Sequence, residues 1–68
     1  MKIKARENFT DIRIRKGFSI TGLAKAMKVN ASVVFNMEKG RRGVRPATAR
    51  KVCEALNEDF DTLFIIED

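Results

Sequence analysis

The 68-residue chain contains no histidine, no tryptophan and no tyrosine, and it has a single cysteine. Catalysis by Ser-His or Cys-His pairs needs an imidazole, so this composition excludes hydrolases of those kinds. One thiol forms neither an internal disulfide nor a thiolate metal cluster, which favours a reducing compartment over secretion. We therefore expect no enzyme, no metal site and no cofactor.

Long apolar runs are also missing. The longest uncharged apolar stretch, residues 63–66, is far too short to span a bilayer. Met1 is followed by lysines rather than by the apolar segment of a leader peptide. We therefore expect a cytoplasmic protein without membrane contacts, and its short length predicts one domain, residues 1–68.

Acidic residues are scarce in most of the chain. Residues 1–51 hold all 14 lysines and arginines and three acids, a net charge of +11, whereas residues 52–68 hold six acids and no base. Such a one-sided field attracts polyanions to one part of a protein. Nucleic acid is the leading candidate partner, although basic residues also serve simply to solvate a small domain.

Apolar periodicity and capping residues divide the chain into five helical segments. The first is predicted over residues 5–16 and ends at Gly17, and Gly40 ends the third. Good N-cap or first-turn residues mark the starts of the other four helices: Ser19, Asn30, Pro46 and Asp59. At the two ends, Ile3 and residues 65–66 give a weak indication of two short paired strands.

The inward faces of these helices predict the core. It comprises Phe9, Ile12, Leu23, Ala24, Met27, Val34, Met37, Ala49, Val52, Cys53, Leu56, Phe60, Leu63 and Phe64. Cys53 lies among apolar neighbours on its helix, so we expect a buried, unreactive thiol.

The second and third helices are separated by a very short turn, which predicts a helix-turn-helix. In that motif, the N-terminal residues of the second helix enter the major groove of DNA. Many helical hairpins have short turns, so the specificity of the signal rests on where the apolar residues lie. Leu23 and Ala24 come early, Val29 lies in the turn, and Val34 and Met37 come late.

With these positions, and with Arg13-Ile-Arg-Lys-Gly-Phe-Ser, Met37-Glu-Lys-Gly and Phe60-Asp-Thr-Leu-Phe, the sequence resembles the Cro/repressor-type (XRE-like) helix-turn-helix family of bacterial and phage regulators. The resemblance covers almost the whole chain. It implies an all-α, compact five-helix lambda-repressor-like domain. It also implies a homodimer that binds a two-fold double-stranded DNA operator and controls transcription.

The resemblance also assigns roles to individual residues. The base-reading positions are Asn30, Ala31, Ser32, Phe35 and Asn36. The phosphate-binding positions are Ser19, Lys39, Arg41, Arg42 and Arg45. Arg13 and Glu38 form a structural ion pair that orients the first helix.

The sequence departs from the family pattern in three ways. Ile20 stands where glutamine is common after the cap of the second helix, and it offers neither a phosphate nor a base contact. Lys28 replaces the usual glycine of the turn, which costs roughly 1 to 2 kcal/mol if the turn is left-handed. The reading helix begins with Ala31, Ser32 and Val33, so its direct readout is poor in hydrogen bonds.

Several assignments stay open at this point. Asn36 either pairs with adenine or is a solvated helix residue. Phe35 contacts a thymine methyl group, fills a partner's pocket or joins the core. Ala31 and Ser32 either allow close approach to the bases or simply fill the first turn.

Two functions compete on these grounds. The first is a sequence-specific DNA-binding regulator, a small Cro-like repressor of a phage or mobile element that acts by operator occlusion. The second is an antirepressor or antitoxin-like module that binds another repressor protein through the apolar residues Ala31, Val33, Phe35 and Ile20. For the homodimer, the candidate interface residues are Phe60, Phe64, Ile65 and Ile66.

Overall fold

The computed structural model describes residues 1–67, and Asp68, one of the six C-terminal acids, lies outside them. Five helices lie between two strands in the order β1 (Lys2–Ala5), α1 (Phe9–Arg15), α2 (Ile20–Met27), α3 (Ala31–Lys39), α4 (Pro46–Leu56), α5 (Phe60–Leu63) and β2 (Phe64–Glu67). The five predicted helices and the compact helical fold are confirmed. The first helix begins at Phe9 rather than near Ala5, because Ala5 ends β1 and a turn at residues 7–8 precedes the helix.

The two strands form a small antiparallel sheet. Ile3 lies opposite Ile66, and Lys4 lies opposite Ile65. This is the pairing that the sequence indicated only weakly, because an isolated two-stranded ribbon is marginally stable and needs tertiary support. The support comes from the core, where Ile3 is buried, and from the backbone of Val44, whose N–H donates to the carbonyl of Ile3 at 2.9 Å.

The core lies between the helices and under the sheet. It contains Ile3, Phe9, Leu23, Ala24, Met27, Val34, Met37, Ala49, Val52, Leu56, Leu63 and Phe64. Leu23 of α2 and Val34 of α3 are fully buried, so they fix the packing of the two helices of the motif.

Three predicted core residues are less buried than expected. Ile12, Cys53 and Phe60 are half-buried and pack against the edge of the core. The prediction of a buried Cys53 thiol is therefore wrong, because α4 turns this position toward the surface. Partial burial, helped by the charge of Asp59, still raises the pKa of the Cys53 thiol.

The turn between α2 and α3 contains a strained residue. Lys28 has φ of 60° and ψ of 44°, which is the left-handed conformation. Because the Cβ atom of an L-residue lies too close to the following carbonyl oxygen in this conformation, Lys28 destabilises the fold by roughly 1 to 2 kcal/mol. At the end of α3, Gly40 adopts a similar φ of 67° without a side chain to strain it.

Candidate nucleic-acid interface

The helix α3 has one buried side and one accessible side. Val34 and Met37 pack into the core, and their spacing of three residues defines the inward face. On the other side Ala31, Ser32 and Phe35 are exposed, and Asn36 is half-buried. The predicted base-reading face is therefore accessible to a partner.

An ion pair fixes the orientation of α3. The Nε atom of Arg13 lies 2.5 Å from Oε2 of Glu38, and both side chains are only 8% exposed. Nη1 of Arg13 donates to the carbonyl of Phe18 at 2.7 Å, and Oγ1 of Thr10 donates to Oε1 of Glu38 at the same distance. The network ties α1 and the α1–α2 turn to the end of α3.

The contact between Arg13 and Glu38 agrees with the role that the resemblance gave them. Thr10 was missed, although it lies three residues before Arg13 on the same face of α1, a spacing that brings helical side chains together. Within residues 1–67, no buried side-chain nitrogen or oxygen lacks a hydrogen-bond partner. The polar network is therefore fully satisfied, as a buried charge requires.

The N-termini of α2 and α3 are capped differently. Oγ of Ser19 accepts a hydrogen bond from the Gly22 N–H at 2.9 Å, which leaves its hydroxyl proton available to donate elsewhere. Asn30 occupies the N-cap position of α3, but its side chain makes no capping hydrogen bond. The predicted N-cap position of Asn30 is therefore confirmed, with the capping conformation in its backbone and no contribution from its side chain.

The basic loop after α3 is anchored at both ends. Its first N–H groups bond back to α3, with the Arg41 N–H donating to the carbonyl of Asn36 at 3.1 Å. At the other end Val44 bonds to β1, and Arg45 takes the N-cap position before Pro46. The arginines of this loop are therefore carried on a constrained backbone beside α3.

A groove of about 310 Å³ runs between α3, this loop and the start of α4. It is lined by two predicted base-reading residues, Ser32 and Asn36, and by two predicted phosphate-binding residues, Arg42 and Arg45. Val33 and Thr48 also line it. Thr48 was not predicted from the sequence. Its position in the first turn of α4, two residues after Pro46, was the signal that could have placed it beside the basic loop.

Phe35 lies on the other flank of α3 and contacts two cations. Lys39 Nζ lies 5.5 Å from the centre of its ring, and Arg41 Cζ lies 5.6 Å from the same point. Both distances are within the range of cation–π attraction. The structure thus brings one predicted base-reading residue together with two predicted phosphate-binding residues.

Among the ten bases other than Lys39, Arg41, Arg42 and Arg45, five have carboxylate partners in the described part of the chain: Lys4 with Glu67, Arg13 with Glu38, Arg15 with Asp11, Lys16 with Glu58 and Arg50 with Glu54. No carboxylate of residues 1–67 pairs with Lys39, Arg41, Arg42 or Arg45. The fold therefore brings C-terminal acids to bases away from α3 and leaves the positive charge beside α3 uncompensated.

The candidate dimer residues lie at the sheet and α5. Phe64 is fully buried, and its ring packs 5.8 Å from that of Phe9, so its side chain is not available to a partner. Ile65 and Phe60 are half-buried, and Ile66 is 54% exposed. A groove of about 530 Å³ on this side is lined by Met1, Ile3, Cys53, Phe60 and Ile66, together with the charged residues Arg50, Glu58 and Asp59.

No helix among residues 1–67 has the length and apolar character needed to cross a membrane.

No curated protein matches the chain. A family model described as helix-turn-helix matches residues 11–63, which is more than half of the chain and includes α2, α3 and the loop after them. The chain therefore belongs to the Cro/XRE-like helix-turn-helix family, whose members are DNA-binding transcription regulators.

Proposed function

We propose that this protein is a small Cro-like repressor of a phage or mobile element that binds a specific operator and blocks RNA polymerase by occlusion. The observation that carries the proposal is the groove in which Ser32 and Asn36 of α3 lie with Arg42 and Arg45. Groups suited to base edges and groups suited to phosphates share one accessible surface there.

In this proposal α3 enters the major groove. Asn36 accepts from and donates to an adenine edge, while the small residues Ala31 and Ser32 let the helix approach the bases closely. Asn30 lies at the leading end of the helix, where its side-chain amide is not used for capping. These few contacts select the sequence.

Affinity comes from the phosphates. Lys39, Arg41, Arg42 and Arg45 carry charges without carboxylate partners among residues 1–67, so they neutralise DNA without first breaking an ion pair. The Ser19 hydroxyl adds a neutral donor at the start of α2. The protein acts by binding rather than by catalysis, in the cytoplasm where its operator lies.

We also propose that a second copy of the chain binds the groove beside Phe60 and Ile66. This surface holds apolar side chains and charges of both signs: Arg50, which also pairs with Glu54, Glu58, which also pairs with Lys16, and Asp59. A two-fold axis makes a patch meet itself, so opposite charges within one patch pair across the axis. Such a dimer would place two α3 helices on half-sites about one helical turn apart.

The antirepressor or antitoxin alternative depends on a continuous apolar face. Ile20 is half-buried against the core, and Val33 and Phe35 point about 160° apart around the axis of α3. The apolar residues thus do not form one patch, which favours DNA as the partner. The alternative is decided by the following experiment.

The test is selection from duplexes with a randomised core of about two helical turns, followed by a salt titration on the enriched duplex. We expect a consensus with two-fold symmetry and an affinity that falls steeply with salt. Arg42→Gln should lower the log–log slope by about 0.9, the value for one phosphate contact. Arg15→Gln makes the same charge change on α1, at a residue that lines neither groove, and should leave the slope unaltered.

Failure to enrich any sequence, together with tight binding to a repressor encoded beside this gene, would favour the protein-binding alternative. Equal slopes for Arg42→Gln and the unmodified chain would remove Arg42 from the DNA interface.

A further inference from the structure

We propose that Phe35, held by Lys39 and Arg41, reads the 5-methyl group of a thymine in the major groove of the operator. The inference rests on the proposed function and names the base chemistry that the Phe35 flank of α3 recognises. It concerns a flank of α3 separate from the groove that contains Asn36 and Arg42.

The first argument is the exposure of an aromatic side chain. Phe35 is 39% exposed, and it is not one of the apolar residues that pack on the core. A phenyl ring has no hydrogen-bond donor or acceptor for a base edge. In the major groove, the thymine methyl is the apolar group that distinguishes one base pair from another, and phenylalanine is among the side chains suited to it.

The second argument is the position of the two cations. Lys39 and Arg41 both lie close to the ring, at 5.5 and 5.6 Å from its centre. Attraction between a cation and the ring restricts both partners, so the ring is oriented before DNA arrives. The backbone bond from the Arg41 N–H to Asn36 further limits how far Arg41 can move from the ring.

The same contact places charge beside the ring. Phosphates border the major groove on both sides, so a ring that reaches a base from one flank of α3 brings its two cations near the backbone. Base contact and phosphate contact are therefore coupled through Phe35. Removing the whole side chain should weaken both contacts, whereas removing one cation leaves the other beside the ring and should weaken mainly the phosphate contact.

Val33 provides a matched control on the same helix. It is 37% exposed, close to the value for Phe35, but it lines the groove with Arg42 and Arg45 and has no ring that a cation could hold. If binding depends only on the apolar surface of α3, Phe35→Ala and Val33→Ala should have similar effects. If Phe35 has a specific role, the two variants should differ.

The experiment replaces each thymine of the selected duplex by uracil, which removes only the methyl group. We expect one position in each half-site at which the unmodified chain loses affinity about fourfold per methyl, the value for one buried methyl group. Phe35→Ala should bind thymine and uracil duplexes equally at that position. Val33→Ala should keep the thymine preference.

Phe35→Leu supplies a second variant with an apolar side chain but no ring. It should keep a thymine preference, while its binding to every duplex weakens because Lys39 and Arg41 are no longer held. A consensus without thymine, tolerance of uracil by the unmodified chain, or a thymine preference that survives in Phe35→Ala would each overturn the inference. Those results leave salt-dependent, sequence-selective binding intact, whereas failure to select any duplex overturns the proposed function and this inference with it.

Discussion

The Nε atom of Arg13 in α1 lies 2.5 Å from Oε2 of Glu38 near the end of α3, although 25 residues separate the two in the chain. This ion pair is nearly enclosed, and Thr10 and the carbonyl of Phe18 satisfy further polar groups of the two side chains. The orientation of α3 against α1 therefore depends on a buried charge that must remain compensated.

Glu38→Gln should lower the free energy of unfolding by about 3 kcal/mol, because it leaves the Arg13 charge buried without a counter-charge. Urea denaturation measures this change. The matched control is Asp11→Asn, which removes the exposed partner of Arg15 and should cost less than about 1 kcal/mol. Similar losses for the two variants would show that the enclosed pair has no special role in stability.

Lys28→Gly should raise the free energy of unfolding by about 1 kcal/mol. Glycine relieves the strain of the left-handed turn residue, and this gain exceeds the extra flexibility that it gives to the unfolded chain. Asn57 has a similar φ of 54°, but asparagine tolerates this conformation, so Asn57→Gly should gain less. A destabilised Lys28→Gly would mean that the lysine side chain makes a compensating contribution.

Asn36→Ala should relax the choice of one base pair in each half-site, with a loss of discrimination of about 1 to 3 kcal/mol. Competition binding with duplexes that vary at each position measures this. Lys39→Ala, by contrast, should weaken binding to all sequences to a similar extent, since phosphates are the same at every position. Uniform weakening by Asn36→Ala would contradict a base-reading role.

Ile66→Glu should convert the dimer to monomers and weaken operator binding by more than about tenfold, because a charge would be buried in the proposed interface. Sedimentation with and without the operator measures the assembly. Ile14→Glu is the matched control, since Ile14 is 59% exposed and lies on α1. A dimer that survives Ile66→Glu, or an unmodified chain that is monomeric on DNA, would place the interface elsewhere or remove it.

The stability of the protein should fall at high pH partly through Cys53. Because the folded state raises the pKa of this thiol above its ordinary value of 9.0, the folded chain holds the proton where the unfolded chain has lost it. The contribution is complete below the ordinary pKa and is lost as pH rises through the pKa of the folded state. Unfolding free energies of the unmodified chain and Cys53→Ala, compared from about pH 7 to pH 10, should converge as pH increases. Parallel curves would contradict this.

The helices were predictable because their signals are local. Pro46 begins α4 and Ser19 caps α2, and the apolar stripes of α2 and α3 identify the buried faces that the structure confirms. Such signals depend on neighbours within a few residues, so a single sequence contains them. Asn30 shows the limit, since it occupies the predicted N-cap position but its side chain makes no capping hydrogen bond.

The sheet was only weakly predictable, since its stability depends on contacts distant in sequence. Ile3 pairs with Ile66 and also receives a bond from Val44, and no local pattern reports those partners. The same long-range pairing buries Phe64. A dimer interface that includes Phe64 needs this side chain at the surface.

The amino-acid sequence by itself determined the helical class, the helix-turn-helix spacing and the excess of positive charge in the first 51 residues, because composition and periodicity are properties of the chain. The tertiary structure decided which of those charges remain available. Folding brings C-terminal acids to Lys4 and Lys16 and leaves the bases beside α3 without such partners among residues 1–67. It also places Lys39 and Arg41 against Phe35, because a side chain's partners are set by the path of the whole backbone.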